Sequence, residues 1–94
     1  MRSLLVGLRD YRIFVMAFYI GLRRQESNET FAEYSFGPDD EQAGLLRIDK
    51  DSGEIEVLRE VPGDESKKYS IRAARKMTLH FRDNEYPEVT CFAS

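Results

Sequence analysis

The chain has few of the residues that form most catalytic, metal and disulfide sites. Its 94 residues include one cysteine, one histidine and no tryptophan. Cys91 has no partner for an internal disulfide, which fits a reducing compartment. His80 stands at no catalytic spacing from a serine or cysteine, and no Walker loop, dinucleotide fingerprint, G-x-S-x-G or Cys-x-x-Cys motif is present. The sequence therefore indicates a non-catalytic, cytoplasmic protein with no cofactor.

A long apolar run is also missing. The two longest, residues 3–8 and 13–22, contain six and ten residues, whereas a membrane-spanning helix needs roughly 20. We therefore expect no transmembrane segment. The second run is apolar on both alternating faces, which predicts a buried core element or the contact of a homo-oligomer, most simply a homodimer. The alternative is a short anchor on a membrane surface, helped by Arg23 and Arg24.

A calcium-binding loop is the nearest approach to a metal motif. Asp49, Asp51 and Glu60 fall at positions one, three and twelve of an EF-hand loop. The glycine that must stand sixth stands fifth, as Gly53, and the flanking segments alternate like strands. Neighbouring acidic residues supply no second cluster of ligands. We therefore predict a hairpin turn here and no metal site.

What the sequence does contain is a strong separation of charge. Residues 26–65 hold thirteen acidic residues against three basic ones, whereas residues 66–82 hold six basic residues and no acidic one. The first 25 residues are also basic, so the formal net charge of −3 hides a dipolar chain. Such a pattern can hold two layers of a fold together or steer a charged partner toward one face.

Alternating apolar and polar residues predict strands. Residues 11–22 are instead apolar on both alternating faces, which fits a buried strand or a buried helix, and we favour the strand. The polar residues 23–30 predict a loop. Residues 31–36, 44–50 and 54–61 favour three further strands, of which the last two form a hairpin closed by Gly53 in the left-handed conformation. Its inward residues are predicted to be Leu46, Ile48, Ile55 and Val57.

A helix is predicted over residues 66–82 because apolar residues recur at every fourth position, namely at Tyr69, Ala73, Met77 and Phe81. Asp64 or Ser66 can cap its start, and Asn84 can end it in the left-handed conformation. His80 is explained by the negative end of the helix dipole. A last strand is predicted over residues 86–92, in which Cys91 would be a small core residue.

The predicted fold class is α+β: an antiparallel sheet of about four strands with one long helix packed on one face. We expect a single domain over residues 1–94, with a β-β-β-α-β core in 31–94. Residues 1–25 form an apolar and basic segment that adds a strand or makes an oligomer contact. The hairpin-rich sheet, the single helix and the acidity resemble in outline the small bacterial proteins that neutralise toxins, an analogy of shape and charge.

The functional expectation is a small protein-binding module of the toxin-neutralising, or immunity-like, kind. Six like charges on one helix repel each other. Either the acidic strands offset them within the fold, or an acidic partner does. The alternative function is a nucleic-acid-binding accessory protein that uses the helix 66–82, although the acidic strands repel phosphates and no aromatic residues are interleaved with the basic ones for stacking. The predicted partner-binding residues are Arg72, Arg75, Lys76, Glu33, Glu54 and Glu56.

Overall fold

One helix packs on one face of a five-stranded antiparallel sheet. The computed structural model describes residues 19–39 and 41–93. The elements are β1 (Tyr19–Ser27), β2 (Phe31–Gly37), β3 (Gly44–Asp49), β4 (Ile55–Arg59), α1 (Lys68–Asp83) and β5 (Val89–Ala93). The strand order is β4-β3-β2-β1-β5. The predicted α+β class is confirmed, with five strands where about four were expected.

The core lies between α1 and the face of the sheet that we call the helix-covered face. Alternate residues of β1, β2 and β3 point to this face and are buried: Ile20, Leu22, Ala32, Tyr34, Phe36, Leu46 and Ile48. From the helix, Ala73 and Met77 are fully buried, and Tyr69 and Phe81 pack at the border of the core. The predicted four-residue stripe on the helix is therefore confirmed.

The polar residues after the first apolar run form a strand, so the predicted loop over residues 23–30 is wrong for most of its length. β1 continues to Ser27 because β2 pairs with it as far as that residue, whereas β5 pairs with it only as far as Arg23. Its polar side chains also find partners: Gln25 Nε2 donates to the Ser35 hydroxyl at 3.1 Å. The strand predicted over 11–22 is confirmed from Tyr19 onward. The remainder of that segment lies outside the described residues.

One residue of β4, Val57, lies on its predicted side of the strand but is not buried. Val57 pairs with Leu46 and so belongs to the helix-covered face, yet 36% of it is exposed. β4 is the outermost strand on that side, and α1 packs over β1, β2, β3 and β5. An edge position leaves Val57 in solvent although its side of the strand was predicted correctly.

Both ends of α1 are held by neighbouring residues. The Asp64 carboxylate accepts the backbone N–H of Tyr69 at 2.8 Å, which satisfies one of the free N–H groups of the first turn. Asn84 ends the helix with φ of 55°, as predicted, and its N–H donates to the Phe81 carbonyl at 3.1 Å. Within the described ranges, no helix has both the length and the apolar character to cross a membrane.

Two side chains from the sheet hold the connection between α1 and β5. Arg24 Nη1 donates to the carbonyl of Tyr86 at 2.7 Å, and the buried Tyr34 hydroxyl donates to the carbonyl of Pro87. The Lys50 ammonium lies 4.7 Å from the centre of the Tyr86 ring. These contacts direct the chain into β5.

Gly53→Ala is expected to lower the free energy of unfolding more than Gly63→Ala. Gly53 and Gly63 both have left-handed backbones, with φ of 80° and 82°, a conformation that costs an L residue about 1–2 kcal/mol. A Cβ at Gly53 would also lie 2.8 Å from the Phe81 ring, whereas Gly63 has nothing within 4 Å. Urea unfolding measures both variants. Equal losses would show that the Phe81 ring moves aside without penalty.

Tyr34→Phe is expected to remove part of the protein's sensitivity to alkali. Burial raises the pKa of Tyr34 to about 12, whereas the ordinary pKa of a tyrosine, which applies in the unfolded chain, is 10.0. Between these values the unfolded chain releases a proton that the folded chain keeps, so the free energy of unfolding falls as pH rises, by up to about 3 kcal/mol. The stability difference between wild type and Tyr34→Phe should therefore narrow as pH rises from about 9 to about 12. A constant difference would contradict this origin.

Candidate functional site

The sheet face opposite α1, which we call the open face, has charged residues from three strands in one row. Register places Glu33 of β2 opposite Arg47 of β3, and Arg47 opposite Glu56 of β4. Arg47 Nε donates to Glu33 Oε2 at 2.8 Å, and its guanidinium lies 4.2 Å from the centre of the Phe31 ring. The Glu33 side chain is only 13% exposed against 43% for Arg47. Glu33 therefore depends on Arg47 for its counter-charge.

Two surface depressions flank this row, each of about 480 Å³. One has an acidic rim formed by Asp49, Glu54 and Glu56 around Phe31 and Arg47. The other is bordered by Arg23 and Arg59, with Gln25, Ser35 and Leu45 between them. Mixed charge around a few apolar atoms suits the side chains of a macromolecular partner.

The acidic turn at Asp49 is accounted for by its own backbone. The Asp49 carboxylate accepts the N–H groups of Asp51 at 2.7 Å and of Ser52 at 3.0 Å. These bonds favour the ionised form and so lower the pKa of Asp49. The residues form the predicted hairpin turn. In the part of the chain that the structure describes, no three ligand-type side chains are grouped to hold a metal ion.

The second surface is the side of α1 that points away from the sheet. We call it the outer helix surface and define it by Ile71, Arg75, Leu79 and Arg82, which are three or four residues apart and so lie along one side of the helix. All four are exposed; Ile71 is 53% and Leu79 is 43% exposed. Two aliphatic side chains therefore alternate with two guanidinium groups in solvent.

The six predicted partner-binding residues fall into two groups. Arg75 lies on the outer helix surface, and Arg72 and Lys76 are half-buried beside it on the same flank of α1. Glu33, Glu54 and Glu56 lie on the open face, on the other side of the sheet. The fold brings each trio together and separates the two trios by the sheet.

The histidine makes a contact that its sequence-based interpretation did not include, and the cysteine contradicts its interpretation. His80 lies in the last turn of α1 as predicted, but its Nε2 also meets the Thr90 hydroxyl of β5 at 3.0 Å. Burial, and then the nearby Lys76, lowers the pKa of His80. The prediction of Cys91 as a core residue is wrong: it is exposed, because β5 is an edge strand and Cys91 alternates with the inward Thr90 and Phe92.

Sequence reasoning missed the two aliphatic members of the outer helix surface. Ile71 and Leu79 lie eight residues apart with Arg75 midway, outside the stripe that contains Ala73 and Met77. That spacing puts them on the side of the helix opposite the core. The signal was therefore present, as two large apolar residues that the packing stripe did not use.

A double-mutant cycle on Glu33→Gln and Arg47→Met is expected to give a coupling energy near 1 kcal/mol, the upper range for ion pairs that remain partly exposed. Arg47→Met alone should lower the free energy of unfolding more than Glu33→Gln, because it leaves the half-buried Glu33 carboxylate without its partner. Urea unfolding at low and high salt measures both. Equal single-variant losses with no coupling would show that the pair adds nothing.

Comparison with known proteins assigns no function to either surface. No protein-family model, curated protein or solved structure matches this chain. The chemistry of the open face and of the outer helix surface is therefore the basis for assigning a function.

Proposed function

We propose that this protein is a small non-catalytic binding module whose outer helix surface docks an acidic, partly apolar segment of a protein partner. The observation that carries the proposal is the exposure of Ile71 and Leu79 among cations on one side of a helix. A cytoplasmic setting and a homo-oligomeric state belong to the same proposal.

The positive charge of this surface is not neutralised by nearby acidic residues. Among residues 19–39 and 41–93, no acidic side chain lies within ion-pairing distance of Arg75, Lys76 or Arg82. The acidic residues Glu54 and Glu56 belong to the opposite side of the sheet. These three cations therefore form no ion pairs with the acidic strands of the fold. An acidic group of a partner would offset their mutual repulsion.

The apolar side chains favour a protein partner over nucleic acid. Ile71 and Leu79 gain by being removed from water against an apolar surface, which a phosphate backbone does not provide. The aromatic residues of α1 are Tyr69 and Phe81, and both pack against the core. The outer helix surface therefore has no ring on which a base could stack.

The helix can present these side chains without depending on them for folding. Ala73 and Met77 fix α1 against the sheet and are fully buried, whereas Arg75 is solvent-exposed. Substitutions at exposed positions away from caps and the core usually change stability by less than about 0.5 kcal/mol. Binding and folding can thus be separated by mutation.

The acidic residues of the open face form the second part of the proposed surface. Glu54 and Glu56 are exposed on one depression, where a basic part of the same partner or of another would be attracted. Glu33 contributes through its pair with Arg47. A toxin-neutralising role is one function of this type, in line with the analogy of shape and charge.

Affinity capture from lysate of the source cell, with and without nuclease, tests the proposal. The wild type is compared with Arg75→Glu and Ile71→Ser, and with Glu41→Lys as a control charge reversal at an exposed residue that borders neither depression. We expect a stoichiometric protein that survives nuclease, is lost with Arg75→Glu and Ile71→Ser, and is retained by Glu41→Lys. Its association rate should fall steeply with salt.

Two results would overturn the proposal. Loss of every captured species after nuclease would assign the basic helix to nucleic acid instead. A captured protein that is retained equally by Arg75→Glu and Ile71→Ser would show that the outer helix surface is not where it binds. Circular dichroism of each variant verifies that the fold is intact.

A further inference from the structure

β5 is an edge strand without the features that usually protect an edge. Within the described part of the sheet, one side of β5 pairs with β1 and the other has no neighbour. Its sequence, VTCFA, contains no charged residue, and its pairing with β1 has no bulge. The opposite edge, β4, contains Glu56 and Arg59 and an irregular register beside Leu45. Charges and bulges on an edge strand oppose pairing with another chain.

The hydrogen bonds to β1 show which backbone groups of β5 point outward. The N–H of Arg24 donates to the carbonyl of Glu88 at 2.8 Å, so the backbone groups of Glu88 point toward β1 within the plane of the sheet. In an antiparallel ladder such pairs alternate, so Thr90 and Phe92 also direct their backbone groups to β1. The N–H and C=O groups of Val89, Cys91 and Ala93 therefore point to the free edge.

We propose that this edge pairs with β5 of a second copy of the chain, antiparallel and about a two-fold axis at Cys91, to form a continuous ten-stranded sheet. In this register Cys91 lies opposite its own copy, and Val89 lies opposite Ala93. All three outward-facing residues are then used on each chain, which makes six backbone hydrogen bonds.

A second copy suits this edge because a strand is its own complement about a two-fold axis. The register opposes no like charges within the paired strands, because VTCFA contains no charged residue. Val89, 59% exposed, gains a neighbour across the interface. A contact made mainly by five-residue strands is smaller than the roughly 800 Å² per partner of a standard interface, so we expect dissociation in the micromolar range.

This interface is separate from the outer helix surface, and it specifies the contact of the homo-oligomeric state included in the proposed function. It also differs from the sequence-based expectation of an oligomer contact through residues 1–25. Failure of the β5 pairing would leave the result of the affinity capture unaffected, and the reverse also holds.

Disulfide cross-linking tests the register, because Cys91 is the only cysteine in the chain. Residues paired this way have Cα atoms about 5.5 Å apart, within the range that a disulfide spans. Two copper(II) phenanthroline complexes each accept one electron, becoming copper(I), as two thiols form the S–S bond and release their two protons. The comparison is Val89→Cys/Cys91→Ser, whose thiols would lie about 14 Å apart in the same dimer.

We expect the wild type to cross-link at least about tenfold faster than Val89→Cys/Cys91→Ser, because the paired strands hold the Cys91 thiols close together. If the thiols met only by random collision, the cross-linking rate would depend on their solvent exposure, and both positions are exposed. Equal rates, or a faster reaction at position 89, would overturn the register.

Equilibrium sedimentation under reducing conditions tests the interface itself. Cys91→Lys places two like charges at the axis and should convert the micromolar dimer to a monomer, whereas Leu58→Lys, at an exposed position on the β4 edge, should not. A dimer that survives Cys91→Lys would overturn the proposal. A wild-type protein that stays monomeric at all concentrations, with the amides of residues 89 and 91 protected from exchange, would also overturn it. The edge of β5 would then pair with another segment of the same chain.

Discussion

The pairing of β5 with β1 is the interaction on which the rest of this fold depends. β1 pairs on one side with β2, which follows it directly, and on the other with a strand that follows the helix. Arg24 and Tyr34 reinforce this long-range pairing by holding the carbonyls of Tyr86 and Pro87, 62 and 53 residues away. The return of the chain to β1 confines α1 to one face and places the core beneath it.

Because α1 covers one face only, the molecule has two surfaces of different chemistry. The open face is polar, with its central pair, Glu33 and Arg47, joined across two strands. The outer helix surface has cations and aliphatic side chains in solvent. The charge separation along the chain thus becomes a separation in space, with the sheet between the acidic trio of the open face and the basic trio of α1. A dipolar arrangement of this kind steers and orients a charged partner more than it adds affinity.

Among the strands that the structure describes, the same topology determines which have a free edge. The meander from β1 to β4 leaves β4 outermost on one side, and β4 contains charged residues and an irregular register. The crossover by α1 places β5 outermost on the other side, where neither feature is present. The difference between the two edges is a property of the assembled sheet, since either strand read alone is a short run with β-forming residues.

Local signals in the sequence determined much of the fold. The Asp51-Ser52-Gly53 turn, the stripe that contains Ala73 and Met77, and the Asn84 helix end depend on neighbours within a few residues, so spacing alone predicted them. Five of the six candidate binding residues were also placed on the correct elements, because alternation and helical periodicity assign each residue to a side, whereas Glu54 lies just before β4. Tertiary structure decided what depends on distant partners. β1 extends through polar residues because β2 pairs with it as far as Ser27, and Val57 is exposed because it lies at an edge. Cys91 faces solvent because its pairing with Gly21 places it on the open face of an edge strand. No local pattern indicates which strand lies at the edge of the sheet, because pairing between residues far apart in the chain decides the strand order.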